Sequence, residues 1–143
     1  MRKTVTITVR HIYNAPPERV FDAWLDPELA RRFAFATPEG EMIKAEIDPR
    51  VGGAFNFTDR RPEMGDVAHV GEYLEIDRPR RLVFTFAVPQ FDPAVTTVTL
   101  DFHPLPNGGC EIVLTHEGVL EQYAEGTPKG WAMILGSLER VVD

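Results

Sequence analysis

The chain has 143 residues, of which 43% are hydrophobic and 26% charged, and its formal net charge at pH 7 is −7. These proportions predict one globular domain over residues 1–143, and the acidic balance argues against binding to the phosphate backbone of nucleic acids. No apolar run approaches the roughly 18 residues of a membrane span, the start MRKTVTITVR is not a secretory signal, and the lone Cys110 cannot form an internal disulfide, so the sequence predicts a cytoplasmic protein without a membrane partner.

The first part of the chain predicts one strand followed by two short helices. Residues 5–10 alternate valine or isoleucine with threonine or arginine, which is the pattern of a half-buried strand. After the break at Asn14-Ala15-Pro16-Pro17, apolar side chains at one-turn spacing predict a short helix (Val20, Phe21, Trp24 and Leu25). Asp26 stops it and can cap a second helix that begins at Pro27 and runs to about Phe33.

Six further strands are predicted between residues 41 and 116. Side chains alternate from Glu41 to Ile47, turn-forming residues follow at 48–53, and a short strand contains Phe55 and Phe57. Longer strands are expected at about 67–76, 81–88, 94–103 and 110–116. Hairpin-length connections imply one antiparallel sheet of seven strands, which makes the fold class α+β.

The segment 59–66 (DRRPEMGD) is charged and contains proline and glycine. It is therefore predicted to be an exposed loop in which Arg60 and Arg61 are solvated. An anion-gating role at the mouth of a cavity is the alternative for these two side chains.

The last stretch, Thr127 to Val142, predicts one long amphipathic helix. Thr127 can cap a free amide, and Pro128 needs no donor at the first helical position. Turns of 3.6 residues place six apolar side chains on one stripe (Trp131, Ile134, Leu135, Leu138, Val141 and Val142). A helix so one-sided needs a partner surface, and the sheet is the large one available. A sheet that curls around a helix can leave a cavity between the two.

The order of these elements, with the residues that separate them, carries a family resemblance. The matching segments cover nearly the whole chain: APPERVFDAW (15–24), DPE (26–28), DPRVGG (48–53), GEYLEI (71–76), RLVFTF (81–86), THEG (115–118) and GW (130–131). On these segments the chain resembles the START-like (SRPBCC) superfamily, and within it the branch of activator of heat-shock-protein-90 ATPase homologue domains. The resemblance implies a helix-grip fold, in which a strongly bent antiparallel sheet wraps the C-terminal helix and leaves an apolar cavity. Many relatives carry a tryptophan where this chain has Phe33-Ala34-Phe35, which is a departure at the pocket entrance.

Four histidines are the first candidates for chemistry (His11, His69, His103 and His116). Their spacing matches no metal-binding motif, and no nucleotide-binding motif occurs, so neither a metal nor a cofactor is predicted. His116, placed at the end of the last predicted strand, is expected to order the turn that follows. Contact with a ligand is the alternative for His116.

The predicted strand 67–76 offers two faces. His69, Gly71 and Tyr73 share one face, and on a concave surface they would present an imidazole and a phenol to a ligand. The other face is more apolar and is expected to point inward (Ala68, Val70, Glu72, Leu74 and Ile76). Glu72 would then be a carboxyl group among apolar side chains, suited to act as an acid, a base or a ligand anchor.

Large apolar side chains are more numerous than a minimal core requires. Part of this surface is predicted to line a pocket for a flat or aliphatic molecule, with few polar groups to orient it. The candidate ligand-binding residues are Trp24, Phe33, Phe35, Phe57, Phe84, Phe86, Trp131 and Leu135.

Three functional hypotheses follow from the sequence. The first is binding of an apolar or amphipathic small molecule in the cavity, without covalent chemistry. The second is an enzyme of the cyclase or dehydratase kind that uses Glu72 with His69, Tyr73 or His116. The third is an interaction module of co-chaperone or stress-response type. A homodimer is plausible from the family resemblance.

Overall fold

The computed structural model describes residues 2–35 and 37–143, and this part of the chain forms seven strands and three α-helices. In chain order they are β1 (Thr4–Tyr13), α1 (Pro17–Leu25), α2 (Pro27–Ala30), β2 (Glu41–Ile47), β3 (Ala54–Arg61), β4 (Gly65–Asp77), β5 (Arg81–Val88), β6 (Asp92–Pro104), β7 (Cys110–Leu120) and α3 (Gly126–Val142). A 3₁₀ turn at Glu121–Tyr123 connects β7 to α3. The predicted order of elements is confirmed.

The seven strands form one antiparallel sheet in the order β1-β7-β6-β5-β4-β3-β2. Each strand from β2 to β7 pairs with its neighbour in sequence, which the short connections require. β7 pairs with β1, so the last strand lies beside the first. With α3 against the inner face of the curved sheet, the predicted α+β helix-grip fold is confirmed.

The apolar stripe predicted for the terminal helix faces the protein interior. Trp131, Ile134, Leu135, Leu138 and Val142 are buried and Val141 is half-buried. Two polar contacts fix the helix to β1: the Tyr13 hydroxyl donates to the Leu135 carbonyl at 2.8 Å, and His11 Nε2 lies 2.9 Å from the Glu139 carboxylate.

The predicted cap of this helix is wrong. The helix begins at Gly126, one residue before Thr127, and the residue at its N-cap position, Glu125, makes no capping bond with its side chain. The 3₁₀ turn from Glu121 already turns the chain, so α3 continues a helical path instead of starting from extended chain. Asp26, by contrast, caps α2 as predicted, because its carboxylate accepts from the Glu28 amide at 3.0 Å.

The prediction of an exposed loop at 59–66 is also wrong. β3 continues to Arg61 and β4 begins at Gly65, so the segment is a hairpin. Asp59 is fully buried because it continues the inward alternation of Phe55 and Phe57, and Arg61 neutralises it from the next inward position. Paired charges allow a strand where the composition suggested a solvated loop.

The inward face of β4 is the opposite of the one predicted. His69 and Tyr73 are buried, whereas Glu72 and Leu74 are exposed. The reason lies at Gly71, where an added Cβ would stand 2.5 Å from the Phe55 ring and closer still to the Thr85 carbonyl oxygen. Gly71 therefore lets the Phe55 ring pack over the strand, and its missing side chain made this face look less apolar than it is.

None of the helices in the described ranges combines the length and apolar character needed to cross a bilayer.

Candidate functional site

A cavity of about 500 Å³ lies between α3 and the inner face of the sheet. The sheet contributes side chains from β3 to β7, and α3 contributes its first two turns. Small residues of α3 leave space beside the helix, since an added Cβ at Gly126 or Gly130 would meet no atom within 4 Å. The lining residues are Phe35, Thr37, Arg61, His69, Phe86, Ala87, Val88, Phe91, Asp92, Ala94, Thr96, His116, Val119, Leu120, Gln122, Tyr123, Gly126, Thr127, Gly130, Trp131, Met133 and Ile134.

Aromatic rings form one wall of this cavity. The ring of Phe35 is nearly parallel to those of His69 and Phe86, with centroids 4.6 and 5.2 Å away and interplanar angles of 10° and 14°. Trp131 meets Phe35 edge-on at 5.6 Å. Stacked and edge-on pairs are the favoured arrangements of aromatic rings, so this wall is held in place by its own packing.

Phe35 is held in a backbone conformation that bulky residues rarely adopt. Its φ is +60°, in the left-handed region, although the side chain is buried. Such strain persists where the surrounding packing determines the position of the residue. The Phe35 ring separates the cavity from a crevice of about 10 Å³ in the close-packed core, because it lines both.

His116 links α3 to the sheet through a chain of hydrogen bonds. The Trp131 indole N–H donates to His116 Nδ1 at 2.9 Å, and an indole nitrogen cannot accept. The proton of the imidazole is therefore on Nε2, which donates to the Thr96 hydroxyl at 2.7 Å, and Thr96 donates to the Phe86 carbonyl at 2.9 Å. Burial lowers the pKa of His116 to about 4, so the ring is neutral at neutral pH.

His69 is buried and neutral as well, but its hydrogen bonding is incomplete. Its Nδ1 lies 3.1 Å from the Phe57 carbonyl oxygen, so Nδ1 carries the proton and donates. Nε2 is then an acceptor, and it has no hydrogen-bond partner among the described residues. Burial lowers the pKa of His69 to about 4. The cavity wall thus contains one free imidazole acceptor.

Two ion pairs lie at the polar side of the cavity. Arg61 Nε donates to Asp59 Oδ2 at 3.0 Å, and the Thr37 hydroxyl donates to the same oxygen at 2.8 Å. Asp92 pairs with Arg2 and also accepts from the Ala94 amide at 2.8 Å. Both cavity-lining charges therefore have a partner of opposite sign.

The structure places five of the candidate catalytic and ligand-binding residues on the cavity wall and the others elsewhere. Phe35, His69, Phe86, His116 and Trp131 line the cavity. The remainder lie elsewhere: Trp24, Phe57, Tyr73 and Phe84 surround the small crevice in the core, Phe33 and Leu135 are buried outside both spaces, and Glu72 is exposed on the outer face. Burial raises the pKa of the Tyr73 phenol well above its usual value.

The prediction that His116 lies at the end of the last strand is wrong. β7 continues to Leu120, so His116 faces inward from the middle of the strand and orders no turn. Thr96 and Thr37 were not predicted as site residues, and solvation was the first expectation for Arg61. The alternation of Val98, Leu100 and Phe102 extends inward to Thr96, which was the available signal.

Across residues 2–35 and 37–143, no three His, Cys, Asp or Glu side chains lie close enough together to hold a metal ion.

Comparison with protein families gives a match over most of the chain. A family model described as activator of Hsp90 ATPase homolog 1-like protein matches residues 14–143. No curated protein matches the chain significantly.

Solved structures from bacteria have the same fold. A protein from Chromobacterium violaceum is 28% identical, with a TM-score of 0.81 and coverage of 96% of each chain. One from Rhizobium leguminosarum is 25% identical, with a TM-score of 0.83 over 99% of this chain and 96% of the other. A protein of unknown function from Staphylococcus aureus shares 15% identity and shows the fold alone, with a TM-score of 0.86 over 99% and 94%.

Proposed function

Because the chain belongs to the activator of Hsp90 ATPase homolog 1-like family of the START-like (SRPBCC) superfamily, we propose that it binds one apolar or amphipathic small molecule in the cavity beside α3, without covalent chemistry. A fold alone does not determine function, so the proposal depends on the site. The observation that carries it is a cavity of about 500 Å³ beside a core that is otherwise filled by side chains.

The size of the cavity supports a small-molecule ligand. Pockets for small ligands occupy roughly 300–1,000 Å³. The neighbouring crevice in the core has a volume of only about 10 Å³. The aromatic side chains therefore pack closely in the core, in contrast to the space left beside α3. The space beside Gly126 and Gly130 stays open because the helix has no side chains there to fill it.

The lining supports a flat, mainly apolar ligand. Phe35, Phe86 and Trp131 offer ring faces and edges, and water held against such surfaces makes fewer hydrogen bonds than in bulk. A ligand that replaces this water gains the burial free energy of its own apolar area. The polar groups that can orient it include His69 Nε2, the Nη atoms of Arg61 and the side chains of Gln122, Tyr123 and Thr127.

The same geometry gives little support to acid–base catalysis. The ring nitrogens of His116 are both engaged, and a histidine with a pKa of about 4 is a weak base at neutral pH. The Glu72 carboxylate is exposed on the outer face and cannot reach His69 or His116 inside the cavity.

Native mass spectrometry of the full chain tests the proposal. The protein is incubated with 2-acetonaphthone, phenanthrene and 1-dodecanol, first singly and then as a mixture. We expect one equivalent of at least one probe to bind, with a dissociation constant on the order of 10 µM, and competition between probes that bind. Failure of all three to bind, or several equivalents bound without saturation, would contradict a single cavity site.

A further inference from the structure

The charge of Arg61 is already matched before any ligand enters. Arg61 is the one lysine or arginine on the cavity wall formed by the described residues. Its side chain is 21% exposed, and its Nε donates to Asp59, whose side chain is only 1% exposed. Asp59 also accepts from Thr37, and its second carboxylate oxygen has no partner in residues 2–35 and 37–143. A buried carboxylate of this kind depends on Arg61 for its counter-charge.

Asp92 and the two histidines of the wall add no net charge. Asp92 is paired with Arg2. His69 and His116 are neutral because burial disfavours their protonated forms. The cavity therefore presents donors and acceptors but no uncompensated cation that could hold an anion.

The terminal nitrogens of Arg61 can still donate hydrogen bonds to an uncharged ligand. Only Nε is used on Asp59, and Nη1 and Nη2 have no hydrogen-bond partner within the described part of the chain. A carbonyl oxygen can accept from these N–H groups without disturbing the pair with Asp59. A carboxylate would lose its hydration and share one cation with a second anion.

We propose that the Asp59–Arg61 pair makes this cavity selective for uncharged aromatic ligands that carry a carbonyl-type acceptor, and that Asp59 is the residue that excludes anions. The inference rests on the proposed binding function. His69 Nε2 can accept a hydrogen bond from a donor group of the ligand. His69 lies on β4 and pairs with Phe57 on β3, and Phe57 is four residues before Arg61 on the same strand. An aromatic primary amide offers both an acceptor and a donor and is the simplest member of this class.

The wild-type protein tests the selectivity without any substitution. Isothermal titration of the full chain compares 2-naphthamide with 2-naphthoate, which have nearly the same shape, at about pH 7, where the acid is ionised. 2-Methylnaphthalene serves as the reference without a polar group. We expect the amide to bind at least about tenfold more tightly than the carboxylate.

The outcomes separate the two proposals. If 2-naphthoate binds as tightly as the amide or more tightly, the selectivity is overturned while the binding function stands. If none of the three compounds binds, the binding function fails and the selectivity fails with it.

Two variants assign the effect to Asp59. Asp59→Asn leaves Arg61 uncompensated, so 2-naphthoate should gain about tenfold in affinity while 2-naphthamide changes less than about twofold. An unchanged ratio between the two affinities would overturn the role of Asp59.

The double variant D59N/R61M removes both charges and remains informative should Asp59→Asn fail to fold. There 2-naphthamide should weaken about fivefold, because the Nη donors are lost, and 2-naphthoate should stay within about twofold of wild type. A large loss of 2-naphthoate affinity would instead identify Arg61 as an anion anchor and contradict the inference. Circular dichroism and thermal melting check that each variant is folded.

Discussion

Replacing Gly130 by leucine is expected to abolish binding of an aromatic probe without unfolding the protein. Gly130 lies on α3 and lines the cavity, and an added Cβ there meets no atom within 4 Å. The leucine side chain would thus occupy the space proposed for the ligand. The helix itself should gain up to about 1 kcal/mol, because glycine is a poor helix former.

Gly136→Leu is the matched control for this substitution. Gly136 lies on the same helix and also has no atom within 4 Å of an added Cβ, but it does not line the cavity. Isothermal titration with 2-acetonaphthone should show affinity at least about a hundredfold weaker for the Gly130 variant and within about twofold of wild type for the Gly136 variant. Equal affinity of both variants would mean that the probe binds elsewhere.

The free energy of unfolding is expected to fall by several kcal/mol when the pH is lowered from about 7 to 4. In the folded protein burial lowers the pKa of both His69 and His116 to about 4, whereas in the unfolded chain each titrates near 6.5. Between these values the unfolded state binds more protons, so stability rises with pH and is lost as the pH falls through this window. The upper bound is about 3 kcal/mol for each histidine.

Urea unfolding at a series of pH values measures this dependence. His69→Gln and His116→Gln should each flatten the curve between about pH 6.5 and 4. His103→Gln, at an exposed position on the outer face, is the surface control. Hydrogen bonds from Arg78 and Arg2 hold the pKa values of the Asp22 and Asp92 carboxyls below the usual range, so these groups also lose stabilisation as the pH falls towards 4. The comparison of each variant with the wild type therefore isolates the contribution of its histidine. A flat curve for the wild type would show that the two histidines are not buried as described.

The fold could be predicted from the sequence because local patterns and global packing agree. Alternation along 5–10 and the apolar stripe from Trp131 to Val142 both mark the side that is buried. Short turns then leave an antiparallel sheet as the natural arrangement. Cap position is less well determined, since a preceding 3₁₀ turn displaced the start of α3 from Thr127.

The site could be predicted only in part, because two of its features depend on contacts between distant segments. Counting apolar residues selected the wrong face of β4, since the burial of His69 depends on Phe35 and on the Phe57 carbonyl. Asp59 was assigned to a loop because the segment 59–66 is charged and contains proline and glycine. A buried carboxylate is costly unless it is paired, and the pair with Arg61 is evident only in the fold. The alternation of inward residues continues from Phe57 to Asp59 and was the available signal that the strand extends. The charged side chains of the segment 59–66 concealed this signal.

The role of His116 likewise could not be derived from its neighbours in sequence. Its tautomer is set by Trp131, fifteen residues later, and by Thr96, twenty residues earlier. These contacts form only when α3 lies against the sheet, so they follow from the fold and not from the THEG motif.

The most direct test of the account is a crystal structure of the protein with 2-naphthamide bound. We expect its naphthalene rings to lie against Phe86 and Trp131 beside Gly130, with the amide oxygen at the Nη atoms of Arg61. A structure with the compound bound only on the outer face of the sheet, and the space beside α3 closed by side chains, would contradict the account.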